Sequence, residues 1–315
     1  MRVSRASVFG TFLFALLMLA AAGTVSAQAW LPPKGEAAFS LGWSHTWADH
    51  HIDYTGADLA PGDMDWQNAV SDLSYGITDR FAARVNIPFV TSKYVGNRPH
   101  PARPGHPPID TGSWNSAFTD FRAELRFKAT TGSLAVTPVV ALVFPSHWYE
   151  SMGHSSFGNN SVEGQFGVNV GRVLDPLLPN AYLQARYVYA VPEAWAGIRP
   201  TRSNVAFDMG YFVTGSLTVS VFGAWTKTHS GWRATVDFPP ATNPDFYNHD
   251  RLTNHEYLRF GGGASYALNS SIDVGLNYYA TLWARSDINM SGIALSFTYG
   301  FSPAQVIKRN RSADR

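Results

Sequence analysis

The chain has 315 residues, with 24 Lys and Arg against 23 Asp and Glu, and no cysteine. The missing cysteine excludes a disulfide framework, a thiolate metal site and a cysteine nucleophile. A net charge of +1, interspersed along the chain, excludes the basic footprint of a nucleic-acid binder.

The first element is a secretory signal. Arg2 and Arg5 form a basic start, Val8 to Ala22 an apolar run, and Val25-Ser26-Ala27 a small-x-small cleavage site. Residues 1–27 are therefore expected to be removed on Sec-route export, leaving Gln28 as the mature start. A retained membrane helix needs about 20 apolar residues, and this run is shorter. No later run reaches about 18 apolar residues, so no helical span is expected. A cysteine-free chain also suits an oxidising export route.

Beyond the signal, stretches with period-two alternation recur between turn residues. Strands are predicted at about 35–48, 64–76, 80–92, 117–130, 133–145, 161–173, 180–193, 202–213, 216–228, 255–267, 271–284 and 290–301. In the last, Ile293, Leu295, Phe297, Tyr299 and Phe301 alternate with Ala294, Ser296, Thr298 and Gly300. In 118–128, Phe121, Ala123, Leu125 and Phe127 alternate with Arg122, Glu124, Arg126 and Lys128. A helix would scatter that apolar set around its circumference, whereas a strand gathers it on one face.

The connections alternate in length. Short turns fall near Ile77-Thr78-Asp79, Thr131-Gly132, Asp175 to Asn180, Thr214-Gly215 and Asn269-Ser270. Longer segments fall near 49–63, 93–116, 146–160, 194–201 and 229–254, with a shorter one near 285–289. Short periplasmic turns, long extracellular loops and an even strand count are the pattern of an antiparallel transmembrane β-barrel of about twelve strands. The expected organisation is a signal peptide over 1–27, an outer-membrane barrel over 28–301 and a polar tail over 302–315. Only Gln28 to Lys34 precede the first strand, so no plug or hatch domain is expected. A soluble β-sandwich would also alternate. Strands of a dozen residues exceed its usual five or six and suit a tilted bilayer crossing of about 9–11.

Electrostatics assigns the faces. A charge on the lipid face at mid-bilayer costs about 2–4 kcal/mol for Arg or Lys. The charged set must then face the lumen: Asp72, Arg84, Arg122, Glu124, Arg126, Glu163, Arg186, Asp208, Arg259 and Asp273. Two roles stay open for it. The charges pair and solvate the interior, or they form a constriction that selects solutes.

The segment Leu73-Ser74-Tyr75-Gly76-Ile77-Thr78-Asp79-Arg80-Phe81, followed by Val85-Asn86-Ile87-Pro88-Phe89-Val90, resembles a hairpin of the outer-membrane family called MetA-pathway of phenol degradation. Phe118-Thr119-Asp120-Phe121 with Glu124-Leu125-Arg126-Phe127, and Val143-Phe144-Pro145-Ser146, resemble two further elements of that family. The similarity runs over 70–300. Thr119 stands where the family has Gly, and Ser146-His147 replaces its Thr-Gly corner. The resemblance implies an outer-membrane transporter of small solutes, among them aromatic or hydrophobic compounds.

His154, Ser155, Ser156 and Asn160 offer a Ser-His-Asn set, but in a Gly-rich loop such residues more commonly build turns, and no catalytic residue is assigned. His45, His50 and His51, with Asp49 and Asp53, are weak metal candidates, and no metal or cofactor is assigned. The Pro-rich loop 97–108 is expected to extend outward rather than fold into the mouth. In the loop 237–249, Phe238, Phe246 and Tyr247 are candidate aromatic contacts. Gly261-Gly262-Gly263 lacks a following helix and is expected to permit a kink or close approach in the wall.

The expectation is a non-enzymatic outer-membrane channel for passive diffusion of small solutes, in contact with outer-membrane lipid and with no nucleic-acid partner. The alternatives are a closed structural or adhesion barrel and a lipid-modifying barrel enzyme. The oligomeric state is left open.

Overall fold

A computed structural model describes residues 29–59 and 62–304. The signal reading over 1–27 and most of the tail lie outside the described residues. Fourteen strand segments form one antiparallel sheet. They are β1 (Ala37–Ile52), β2 (Asp58–Leu59), β3 (Gly62–Gly76), β4 (Phe81–Gly96), β5 (Asn115–Phe118), β6 (Asp120–Phe127) and β7 (Leu134–Pro145). They continue with β8 (Glu163–Val173), β9 (Ala181–Pro192), β10 (Arg202–Phe212), β11 (Leu217–Thr228), β12 (Glu256–Ala267), β13 (Ile272–Arg285) and β14 (Asp287–Phe301).

β14 pairs with β1 from Ala37↔Phe301 to Ile52↔Asp287, which closes the sheet. Closure leaves no long unpaired edge, as a barrel requires. β2 only extends β1 at its far end, and β5 and β6 are one interrupted strand, so twelve strands make the wall. The interruption has a local cause. Between Phe89↔Phe118 and Asn86↔Arg122, β4 contributes two residues, one of them Pro88, and its partner contributes three. Pro88 has no N–H to give the ladder, and a bulge at Thr119 absorbs the mismatch, with Thr119 N donating to the Pro88 carbonyl at 3.1 Å.

The two faces are inverted relative to a soluble protein. Leu125 is 53% exposed while its neighbour Glu124 is 2% exposed. Phe81, Val85, Leu142, Phe166, Val221 and Phe297 also point out, and Thr137, Asn169, Gln184, Asp208 and Asn277 point in. Outward aromatics gather near both ends: Tyr75, Tyr211, Tyr266 and Tyr299 near the short turns, and Trp47, Phe118, Phe144 and Trp283 toward the loops. Such rings are satisfied at an apolar–polar boundary. A small apolar cluster, Ala48, Met64 and Tyr94 with Trp66, Ile288 and Met290 against it, sits inside the wall near the loop end. The glycine run is a place of close approach: a Cβ on Gly261 would stand 2.6 Å from the Phe222 ring, and one on Gly263 2.0 Å from Asn277 Oδ1.

Both ends differ from expectation. The loop near 285–289 shrinks to Ser286 between β13 and β14, at φ 48°. At the short-turn end, the residues before β1 cross the opening. Gly35 N donates to the Gly76 carbonyl on β3 at 2.8 Å. On the far side, Thr137 of β7 donates to the Ala29 carbonyl at 2.7 Å, and Ala29 N donates to Gln184 of β9 at 3.4 Å. The Trp30 ring meets Tyr182 edge-on at 6.3 Å. This segment, expected only to be too short for a plug or hatch domain, lies across the opening as an extended strap. Seven extended residues reach roughly 23 Å, enough to cross. Gly171 leaves them room, since a Cβ there would lie 2.5 Å from the Ala29 Cβ.

Candidate functional site

The alternation of β6 sends Arg122, Glu124 and Arg126 to the lumen together. Glu124 accepts from Arg122, from Arg126 at 2.5 Å and from Arg186 of β9 at 2.8 Å. One carboxylate thus holds three guanidiniums, each in direct contact with the opposite charge although positive charge remains in excess. Arg122 also donates to Gln165 at 2.9 Å, Gln165 donates to Glu163 at 2.6 Å, and Arg202 donates to Glu163. Arg84 donates to Asp72 at 2.6 Å on the adjoining wall. Arg259 reaches Asp287 at 3.0 Å, Asp208 accepts from Gln184 at 3.1 Å, and Asp273 stands opposite Thr298 on the inward register of β13.

Arg202 and Asp287 complete pairs but were missed in the sequence, because each begins a strand beside a loop. The paired set borders a recess of about 340 Å³ lined by Arg84, Asn86, Arg122, Glu163, Gln165, Arg186, Val188, Arg202 and Asn204. Four guanidiniums and one carboxylate line it, and with the partners Asp72, Glu124 and Arg126 counted, five positive charges stand against three negative ones and leave a positive field. Across the lumen the wall is small and weakly polar, with Gly42, Ser44, Asn68, Val70, Phe222 and Tyr279 around a second recess.

At the other end the loops L2 (97–114), L3 (146–162), L4 (193–201) and L5 (229–255) fold together. Asp110 is the hub. It accepts from the backbone N–H groups of His100 (3.0 Å), His154 (3.0 Å) and Ser155 (2.9 Å), and from the Ser155 hydroxyl at 2.8 Å. Ser92 of β4 donates to the Ser155 carbonyl at 2.5 Å and Trp66 of β3 to that of Ser156 at 3.3 Å, so L3 is held inside the wall. Gly153 N donates to Asp250 at 2.7 Å. Gly153 has φ 135°, and a Cβ there would press on Ile109 at 3.0 Å, so only glycine fits this turn. Arg103 pairs with Glu150 at 3.0 Å and donates to the Tyr247 carbonyl. Arg251 donates to Ser151 at 3.0 Å and stacks 4.2 Å over the Trp195 ring.

The outward reading of 97–108 is therefore corrected. Its proline tip is exposed, but His100, Arg103 and Asp110 tie it to L3 and L5 because each has a charged or backbone partner there. Phe238 and Phe246 pack on His249 at 4.6 and 4.7 Å, within the loop assembly.

The loop hydroxyls are not set for nucleophilic chemistry. The His154 ring nitrogens face His51 at 3.3 Å and the Arg98 carbonyl at 3.0 Å, while Ser155 donates to Asp110. The three histidines close in sequence, His45, His50 and His51, diverge in space. His45 pairs with Asp65 at 2.9 Å, His50 with Asp49 at 2.5 Å, and His51 turns to the Met64 sulfur at 3.1 Å.

A different cluster forms at the mouth. His51, His100, His154, His249 and Asp250 border a cavity of about 290 Å³ with Trp66, Phe238 and His255. Burial, reinforced by His100, holds His154 below the ordinary imidazole value. Burial raises the Asp110 and Asp250 carboxyls, but hydrogen bonds to Asp110 and the His249 charge beside Asp250 outweigh it and hold both well below the carboxylate range. Burial lowers His249, and Asp250 outweighs that and raises it.

No family model matches the sequence, and no curated protein matches it. Solved structures do match in fold. The COG4313 outer membrane channel from Pseudomonas putida F1 superposes with a TM-score of 0.67 at 12% identity, over 89% of this chain and 100% of that one. The NanC porin superposes with a TM-score of 0.49 at 10% identity, over 83% and 98% of the two chains. The translocator domain of the autotransporter NalP from Neisseria meningitidis gives 0.49 at 10%, over 94% and 98%. The fold is that of outer-membrane barrels.

Proposed function

We propose that this protein is a channel of the Gram-negative outer membrane that passes small solutes by diffusion and performs no chemistry on them. The observation that carries this reading is the recess of about 340 Å³ with four guanidiniums and one carboxylate, inside a barrel whose outer face is apolar. A positive recess facing a wall with Phe222, Tyr279 and Val70 suits a small ring bearing a carboxylate. The MetA-pathway resemblance, with its link to aromatic compounds, and the fold shared with an outer membrane channel support the same reading. The ten lumen residues Asp72, Arg84, Arg122, Glu124, Arg126, Glu163, Arg186, Asp208, Arg259 and Asp273 then set selectivity, with Arg202 added.

One observation favours a second reading, a closed structural barrel: residues 29–33 cross one opening and the loop assembly covers the other. Uptake into liposomes carrying the folded mature protein decides between them. The solutes are monoaromatic acids, sugars, amino acids and alkanes. Uptake of monoaromatic acids above empty liposomes is the expected result. No uptake of any class by folded protein would leave the closed barrel.

A further inference from the structure

The loop assembly holds a constellation that transport does not use. His100 of L2 and His249 of L5 face each other with their ε nitrogens 3.2 Å apart. Asp250 Oδ1 lies 3.1 Å from the same His249 nitrogen. One ligand atom from each of the three residues falls within 4.8 Å of the others.

The opposite ring nitrogens decide what this pair can do. His100 Nδ1 sits 3.1 Å from Asp110 Oδ2, and His249 Nδ1 sits 2.6 Å from the Phe246 carbonyl. Both partners are acceptors, so each δ nitrogen carries the hydrogen, and a neutral imidazole then has its lone pair on the ε nitrogen. Two lone pairs and a carboxylate oxygen converge on one point. A proton on His249 Nε2, shared with Asp250, relieves that repulsion, and so does a metal ion held between the three groups.

The spacing fits a metal. Two donors bound at about 2.0–2.1 Å to a tetrahedral ion stand roughly 3.3 Å apart. A carboxylate and a backbone carbonyl behind the two histidines are the outer partners that fix tautomer and ring orientation in metal sites. The His249 and Asp110 side chains are almost fully buried, 3% and 0% exposed, which limits rearrangement.

We propose that His100 Nε2, His249 Nε2 and Asp250 Oδ1 bind a first-row divalent transition ion, with Asp110 and Phe246 orienting the two imidazoles. Imidazole with carboxylate suits zinc, nickel or copper rather than calcium or magnesium. The ion's remaining positions open on the mouth cavity beside His51 and His154. The site joins L2 to L5 across a sequence separation of 149 residues, so the ion would clamp the loop assembly shut. His45, His50 and His51, the metal candidates read from sequence, are not its ligands.

The test uses the untagged, folded mature barrel in detergent, stripped with chelator and titrated with Zn²⁺ by calorimetry and with Co²⁺ by visible absorption. One ion per barrel is expected, with the strong visible band of a low-coordinate cobalt site, and His100→Gln or His249→Gln should weaken binding at least about 100-fold. His45→Gln and His50→Gln should leave it unchanged. Each variant is first shown to fold by its β-sheet circular dichroism and heat-dependent gel mobility. Absence of binding by the folded wild type, or equal affinity in the His100→Gln and His249→Gln variants, would overturn the proposal. These readouts report metal binding alone, so the channel reading is tested separately by uptake into liposomes of chelator-stripped protein.

Discussion

Arg186 of β9 reaches Glu124 of β6 at 2.8 Å, past two intervening strands, and so ties one side of the lumen across its curvature. Glu124 is the one carboxylate in direct contact with Arg122, Arg126 and Arg186 together. Glu124→Gln should leave three guanidiniums facing one another. Removing one partner of a buried ion pair costs about 3–5 kcal/mol, and the water of an open recess should bring this to about 3 kcal/mol or less. The added positive charge should move the reversal potential under a salt gradient toward anion preference. Arg122→Ala with Arg186→Ala should move it the other way. If both variants keep the wild-type reversal potential in planar bilayers, these residues do not line the path.

The segment across the short-turn opening makes a second prediction. Trp30 holds it by its edge contact with Tyr182, and Ala29 by hydrogen bonds from Thr137 and to Gln184. Trp30→Ala should loosen this anchor. Gly171→Val should do the same from the wall side, because its side chain would occupy the place of Ala29 and Trp30. Both should raise single-channel conductance severalfold while the circular dichroism stays that of the wild-type barrel. Unchanged conductance in both would mean that the crossing segment does not limit flow.

The wall was legible in the sequence and the two mouths were not, for one physical reason. Alternation such as Phe121-Arg122-Ala123-Glu124-Leu125-Arg126 follows from the pleat itself, so strand and face can be read together. The loop assembly rests on partners with no periodic relation: Asp110 on Ser155, Arg103 on Glu150, His100 on His249. No local pattern encodes such pairs. His45, His50 and His51 are close in sequence, yet a strand sends neighbours to opposite faces and gives the three different partners. The metal-like set comes instead from loops that only the closed barrel brings together.

Asp110 is the acceptor on which L2 and L3 depend. Asp110→Ala should remove bonds to His100, His154 and Ser155 at once, leaving buried donors without partners. Hydrogen bonds to a charged group are worth about 1.5–3 kcal/mol each, and they are not additive. A loss of about 3 kcal/mol in local closure, with the wall intact, is the expected size. Limited proteolysis should then cut within 97–114 and 146–162 at protease levels that leave the wild type whole. Resistance equal to wild type would remove Asp110 from this role.

His255, just before β12, makes the last prediction. Burial, with the charges of Arg202 and Arg259, pushes its imidazole down to about 3. In an opened mouth the same group would titrate near 6.5, the ordinary value. Between those values the open form takes a proton that the closed form refuses, so closure weakens as pH falls below about 6.5 and is unaffected above it. The weakening should reach about tenfold in the opening equilibrium per pH unit. The Trp232 and Asn254 amides, bonded to the Leu252 and Trp232 carbonyls at 2.8 Å, report on it by hydrogen exchange corrected for intrinsic rate. His255→Gln should reduce this dependence with chelator present, leaving the part carried by His51 and His154, which burial also lowers, and an undiminished dependence in that variant would assign the effect to other groups.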